Sequence, residues 1–332
     1  STIFPNIGFN DDDLVAMFGA DPSVCVDGLT TPCELTAEAA SWAQMINQAR
    51  SSGHCQGLAV LAAQRFDDGL QPTTAEVEPT DSVIRAVMRA FATQFLPELQ
   101  LESTSSLSKS LREKVEILSE AFKGNKVGHV LGLFSADGGH AVTPYAIEYR
   151  EKNIARVMVY DPNWPGQDRY VDIDLANETW TFSYSAEKPS EDPSPWTGGA
   201  GDMDLTSVDF GEATCPFCSG DVAMKNTTLV IRTDSNDWSI ETNNGVVKPG
   251  SSEVVGDVAV APVKAGIRRS VFDYVVRLTA ASDLDTVRSP IKLAFPGAAS
   301  VFALLPTGIA KIQTADASGA AEELTENSVS TA

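Results

Sequence analysis

One change of hydrophobic period constrains this chain more than any other feature. Up to residue 123 apolar residues recur at helical spacing. Trp42, Met45, Ile46 and Ala49 make one face; Val83, Ile84, Val87, Met88, Phe91 and Phe95 make another; Leu107, Leu111, Val115, Leu118 and Phe122 make a third. Thr36 suits the first N-cap, with Glu38 in the first turn. The second stripe stops near Pro97 and the third at Gly124-Asn125. Beyond residue 126 the period falls to two. Segments 127–134, 141–149 and 155–160 read as strands, followed by clean alternation of Val171, Ile173 and Leu175 and then by 179–184. Helices followed by an antiparallel sheet predict an α+β fold.

The chain has 332 residues, more than the ~250–300 at which a single core stops growing, so two domains are expected. The sharpest compositional break is 187–203, Glu-Lys-Pro-Ser-Glu-Asp-Pro-Ser-Pro-Trp-Thr-Gly-Gly-Ala-Gly and on to Met203, which is read as a linker. It divides a mixed domain, 36–186, from a β-rich accessory domain, 204–313. In the latter, short runs at 228–231, 238–241, 254–260, 271–278 and 291–295 predict a small antiparallel sandwich. Residues 1–35 read as an irregular arm, and the Ala/Ser/Thr/Glu-rich 314–332 as a disordered tail.

The net charge is −21. A surface this acidic repels phosphate backbones, which argues against a nucleic-acid partner. No apolar run reaches the ~20 residues needed to span a bilayer, so no membrane insertion is expected.

The five cysteines sort into Cys25 with Cys33, Cys215 with Cys218 in Cys-Pro-Phe-Cys, and Cys55 alone. The two pairs are structural candidates, as disulfides or as weak metal half-sites, and no metal site is predicted. Two disulfides beside one free thiol favour a secreted or extracytoplasmic location over a cytoplasmic one. Cys55 lies in Gly53-His54-Cys55-Gln56-Gly57-Leu58-Ala59, where a turn opens into the apolar helical stripe Leu58, Leu61, Ala62 and Phe66. A sulfur at a helix start faces unpaired N–H groups that favour thiolate. Only three histidines exist to serve as its base. His140 follows Asp137-Gly138-Gly139 at a strand start, and Asp161 closes the next strand in Val159-Tyr160-Asp161-Pro162-Asn163-Trp164. Adjacent antiparallel strands bring such ends together, so a nucleophile, a base and an orienting acid are all available. His54, Gln56, Gly139 and Trp164 are expected to wall the site, and His129 to be structural.

The order Cys55 at a helix start, His140 in Gly-His-Ala-Val-Thr-Pro-Tyr and Asp161-Pro162-Asn163 after the next strand resembles the papain-like cysteine peptidases. Cys55-Gln56-Gly57-Leu58-Ala59 with Val159-Tyr160-Asp161-Pro162 is most similar to the branch containing bacteriocin-processing peptidases. The resemblance covers roughly 36–185. It implies a papain-like domain with a helical half carrying Cys and a sheet half carrying His and Asp, and hydrolysis of a peptide or protein substrate without cofactor. Cys55 would be the nucleophile, His140 the general base and acid, and Asp161 the orienting residue, with Asn163 the competitor for that third role. Gln48, beside the Cys55 backbone N–H, is the candidate oxyanion donor. A non-catalytic binding or adhesion module on the same shell, and an acyl transferase or amidase using the same triad, are the alternatives.

Overall fold

The computed structural model describes residues 7–29, 31–209, 213–218, 227–242, 245–249, 258–267, 272–278, 291–305, 308–314, 321–325 and 328–331. Its helices are α1 (Asp11–Phe18), α2 (Ala37–Ala49), α3 (Cys55–Asp67), α4 (Asp81–Ala92), α5 (Pro97–Leu107) and α6 (Leu111–Lys123). The strands of the mixed half are β1 (His129–Ser135), β2 (Gly138–Glu151), β3 (Ile154–Tyr160), β4 (Arg169–Asp174), β5 (Thr179–Phe182), β6 (Trp196–Gly199) and β7 (Met203–Ser207). Then follow β8 (Thr227–Thr233), β9 (Ser239–Thr242), β10 (Gly245–Val247), β11 (Val258–Pro262), β12 (Gly266–Ile267), β13 (Phe272–Leu278), β14 (Ile291–Ala294), β15 (Ala299–Leu305), β16 (Gly308–Thr314), β17 (Ala321–Thr325) and β18 (Ser328–Thr331).

Two compact units interleave along the sequence. The first is drawn from Gly53–Glu212 and Lys264–Ile267 and carries α3–α6, β1–β7 and β12. Its antiparallel sheet runs β6-β5-β4-β3-β2-β1-β7 and is curled, with β12 added beside β2. Together with the helices this makes the unit α+β, as the change of period predicts. The alternating residues Val157, Val159, Val171, Ile173, Trp180 and Phe182 bury one face of the sheet with Leu111, Val115 and Leu118 of α6. A second cluster packs Cys55, Ala59, Val60 and Ala63 of α3 on Val130 and Ala141. Gly57 lets α3 approach α4 closely: a Cβ there would sit 2.1 Å from the Val87 carbonyl oxygen.

The second unit carries α1, α2, β8–β11 and β13–β18. Its two five-stranded sheets, β10-β9-β14-β17-β18 and β11-β13-β8-β15-β16, share one core that includes Leu229, Ile231, Trp238, Ile240, Leu293 and Val301. Strands β8, β9, β11, β13 and β14 fall where strands were expected, whereas β10, β15, β16, β17 and β18 were not expected. Residues 254–257 of the expected strand 254–260 lie outside the described residues, as do 1–6 of the arm and 315–320 of the tail.

Several expected boundaries differ. Among the described residues the arm contains a helix, α1, opened by an Asn10–Asp13 capping box, with its Asp triplet at the positive end of the helix. Its Phe18 ring meets Trp42 of α2 at 5.5 Å. Helix α2 itself groups with the second unit, since it packs on β16 and its Gln48 carbonyl accepts from Arg232 of β8. The expected linker 187–203 contains β6, which pairs with β5, and the next residues form β7 on β1, because Trp196, Met203 and Leu205 complete the first core. The expected disordered tail carries β17, whose backbone pairs with β14, and β18, which pairs with β17. Pro97 begins α5 rather than merely ending the preceding helix, at a position where its missing N–H costs nothing.

Both expected cysteine pairs are disulfides, Cys25–Cys33 and Cys215–Cys218. The latter turn holds Phe217 buried against Phe18 and Trp42, at ring separations of 5.7 and 5.8 Å.

Candidate active site

Cys55 is the first residue of α3, and the residue before it, His54, makes no side-chain capping bond. The first-turn N–H groups around the sulfur are therefore not taken by a side-chain cap. Cys55 is the free cysteine and is buried, at 5% exposure. Its Sγ lies 3.9 Å from the Gly139 carbonyl oxygen, one residue before His140.

His140 and Asp161 are fully buried. Antiparallel pairing of Thr143 with Tyr160 sets the start of β2 beside the end of β3, and His140 Nε2 meets Asp161 Oδ1 at 3.0 Å. With Nε2–H donating to the carboxylate, Nδ1 is the nitrogen left as acceptor. Nδ1 is buried and has no hydrogen-bond partner, while Cys55 is close enough to act on the ring electrostatically. Burial pushes the imidazolium down, but the Asp161 carboxylate, by charge and hydrogen bond, and Cys55 outweigh it and hold the ring up to about 10. The backbone N–H of Asn163 donates to the same Asp161 oxygen at 2.9 Å. Asp161, not the exposed Asn163 side chain, thus holds the ring.

Three groups absent from the sequence-derived list complete the surroundings. The Tyr184 ring stands edge-on to His140 at 4.9 Å and stacks on Trp196 at 4.7 Å. Phe182 lies 6.0 Å from the imidazole. Arg169, fully buried, donates to the carbonyls of Ala186 at 2.7 Å and of Ser183, and sits over the Trp164 ring at 4.8 Å. Burial lowers its guanidinium, with Asp161 opposing. Trp164 Nε1 in turn donates to the Tyr184 carbonyl at 3.0 Å. Together these bonds tie the loop after Asp161 to the segment carrying Tyr184. The alternation Trp180, Phe182, Tyr184 was the available signal, since it puts all three on one face.

The other expected wall residues divide. Gly139 faces the thiol through its carbonyl, and His54 is half-buried with its ring 6.2 Å from Phe91. Gln56 is no wall residue exposed to a groove: it is buried, and its Oε1 has no hydrogen-bond partner. Gln48 belongs to the other unit, where its Oε1 is buried without a partner. His129 opens β1, and burial lowers its imidazolium, as suits a structural residue. Among the described residues no cluster of three or more His, Cys, Asp or Glu side chains is placed to hold a metal, and no helix is long and apolar enough to cross a membrane. No family model, curated protein or solved structure matches the chain.

Proposed function

We propose that the protein is a papain-like thiol hydrolase, a cysteine peptidase cleaving peptide bonds through an acyl-enzyme on Cys55. The observation that carries this reading is the buried His140 Nε2–Asp161 Oδ1 bond beside a free thiol at a helix start. In this mechanism Nδ1 takes the thiol proton, the thiolate attacks the substrate carbonyl carbon, and the imidazolium returns the proton to the leaving amine. Water then attacks the thioester with His140 as base, releasing the acid and free Cys55. The oxyanion lies against the Cys55 backbone N–H. A raised imidazolium supports this chemistry, because a ring that holds its proton more tightly is the stronger base toward the thiol.

Cys55→Ala tests it. Peptide hydrolysis is expected to fall at least ~10³-fold, with the fold retained by circular dichroism. Hydrolysis persisting near the parent rate would overturn the proposal. Amine incorporation into an acyl acceptor, in place of hydrolysis, would favour the acyl-transferase alternative.

A further inference from the structure

Lys264–Ile267 lies far along the sequence from the triad but belongs to the same unit. It touches each element of the site. Gly266 and Ile267 pair with Gly139 and Gly138, immediately before His140. The Ala265 carbonyl lies so close over Gly53, two residues before Cys55, that a Cβ there would sit 2.2 Å from it. The Ile267 N–H donates to the Tyr184 hydroxyl at 3.3 Å, on the ring that stands against His140. Gly266, at φ +90, passes Tyr184 where an added Cβ would stand 3.1 Å from the hydroxyl.

The strap is anchored by a built pocket. Lys264 is 4% exposed, and its Nζ sits 3.0 and 3.1 Å from the two oxygens of fully buried Asp204, with Thr206 Oγ1 at 3.5 Å. Ser103 donates to Asp204 from α5, and the Lys264 N–H donates to Gln94 Oε1 at 3.0 Å. Gly132 makes the room: a Cβ there would lie 2.1 Å from Asp204 Oδ1 and 2.9 Å from Lys264 Cδ. A buried ion pair returns little more than its own desolvation cost. Stability alone therefore does not explain why a lysine, rather than a leucine, anchors this segment.

We propose that Lys264–Ile267 occupies the substrate cleft as an internal pseudosubstrate, and that Asp204, with Thr206 and Ser103, forms the subsite for the lysine side chain of a peptide substrate. The inference rests on the thiol-hydrolase reading for what the cleft does, and it adds the substrate class and the reason Cys55 and His140 are closed off. A strand-paired backbone with one buried side chain is how an extended peptide binds a sheet edge. The occupancy is non-covalent: no bond forms or breaks in the strap.

The test is the second-order rate of Cys55 alkylation by iodoacetamide in the full chain, where the other four cysteines are in disulfides. Lys264→Ala removes the anchor. Ile267→Pro removes the N–H bonded to Tyr184 but leaves the ion pair, and Ile267 is 36% exposed, so it carries the test if Lys264→Ala fails to fold. Either variant is expected to alkylate at least tenfold faster than the parent. The peptide Val-Lys-Ala-Gly-Ile, added in trans, should restore the slow rate, and the same peptide with norleucine for lysine should not. Unchanged alkylation in a folded variant overturns the strap, and equal protection by both peptides overturns the Asp204 subsite. Alkylation reads access and needs no turnover. Faster alkylation with no peptide hydrolysed would therefore sink the hydrolase reading alone, and unchanged alkylation with hydrolysis would sink the strap alone.

Discussion

At the residue scale the Asp161 carboxylate does two things to His140, fixing which nitrogen carries the proton and holding the ring up to about 10. Asp161→Asn keeps the shape and removes the charge. Turnover is expected to fall by about 10²–10⁴-fold, and the alkaline limb of the pH–rate profile to move to lower pH, because the imidazolium then loses its proton earlier. Stability follows the same sign. A ring raised from 6.5 to about 10 on folding lends stability that is complete below pH 6.5 and fades as pH rises toward 10. The parent should therefore lose more of its melting temperature across that window than Asp161→Asn does. Asn163→Ala retains the backbone N–H on Asp161 and should leave the limb in place. A shift equal to that of Asp161→Asn would transfer the orienting role to Asn163. The pairing of His140 with Asp161 was legible because each has a chemistry-bearing type near a strand end. Tyr184 and Arg169 were not, since their roles depend on which strands the sheet sets beside one another.

At the element scale, close approach of α3 and α4 is what seats Cys55. A Cβ on Gly57 would lie 2.1 Å from the Val87 carbonyl oxygen and 2.9 Å from the Phe91 nitrogen, both backbone atoms that cannot swing aside. Gly57→Ala should push the helices apart and cost about 1–3 kcal/mol, despite alanine's better helix propensity. Urea denaturation checks this: a gain in stability would show that the helix contact is looser than it is described. Helix α4 was readable because its stripe is long and apolar. Helix α5 was not: its Pro-Glu-Leu-Gln-Leu-Glu-Ser-Thr-Ser-Ser-Leu buries only Leu99, Ser106 and Leu107, too few for a period to stand out. The same limit hid β17 and β18, where backbone pairing supplies an order that composition does not announce.

At the scale of the whole molecule, the units are discontinuous in sequence, so cutting at a compositional break does not cut between them. The Pro/Gly-rich stretch looked like a linker because proline and glycine interrupt elements, yet it delivers Trp196 to the core and leads into Met203 and Leu205. A fragment of residues 36–186 loses these three buried side chains. At roughly 1.5–3 kcal/mol each, that is about 5–9 kcal/mol, comparable to the entire ~5–15 kcal/mol stability of an ordinary domain. It also leaves β1 without β7 and β5 without β6, exposing two sheet edges. The fragment is expected to show no cooperative thermal transition by near-ultraviolet circular dichroism and to associate in solution. A sharp, reversible melt of 36–186 would mean that the helices and β1–β5 form a sufficient core by themselves, and that β6 and β7 are additions to the unit rather than part of what makes it fold.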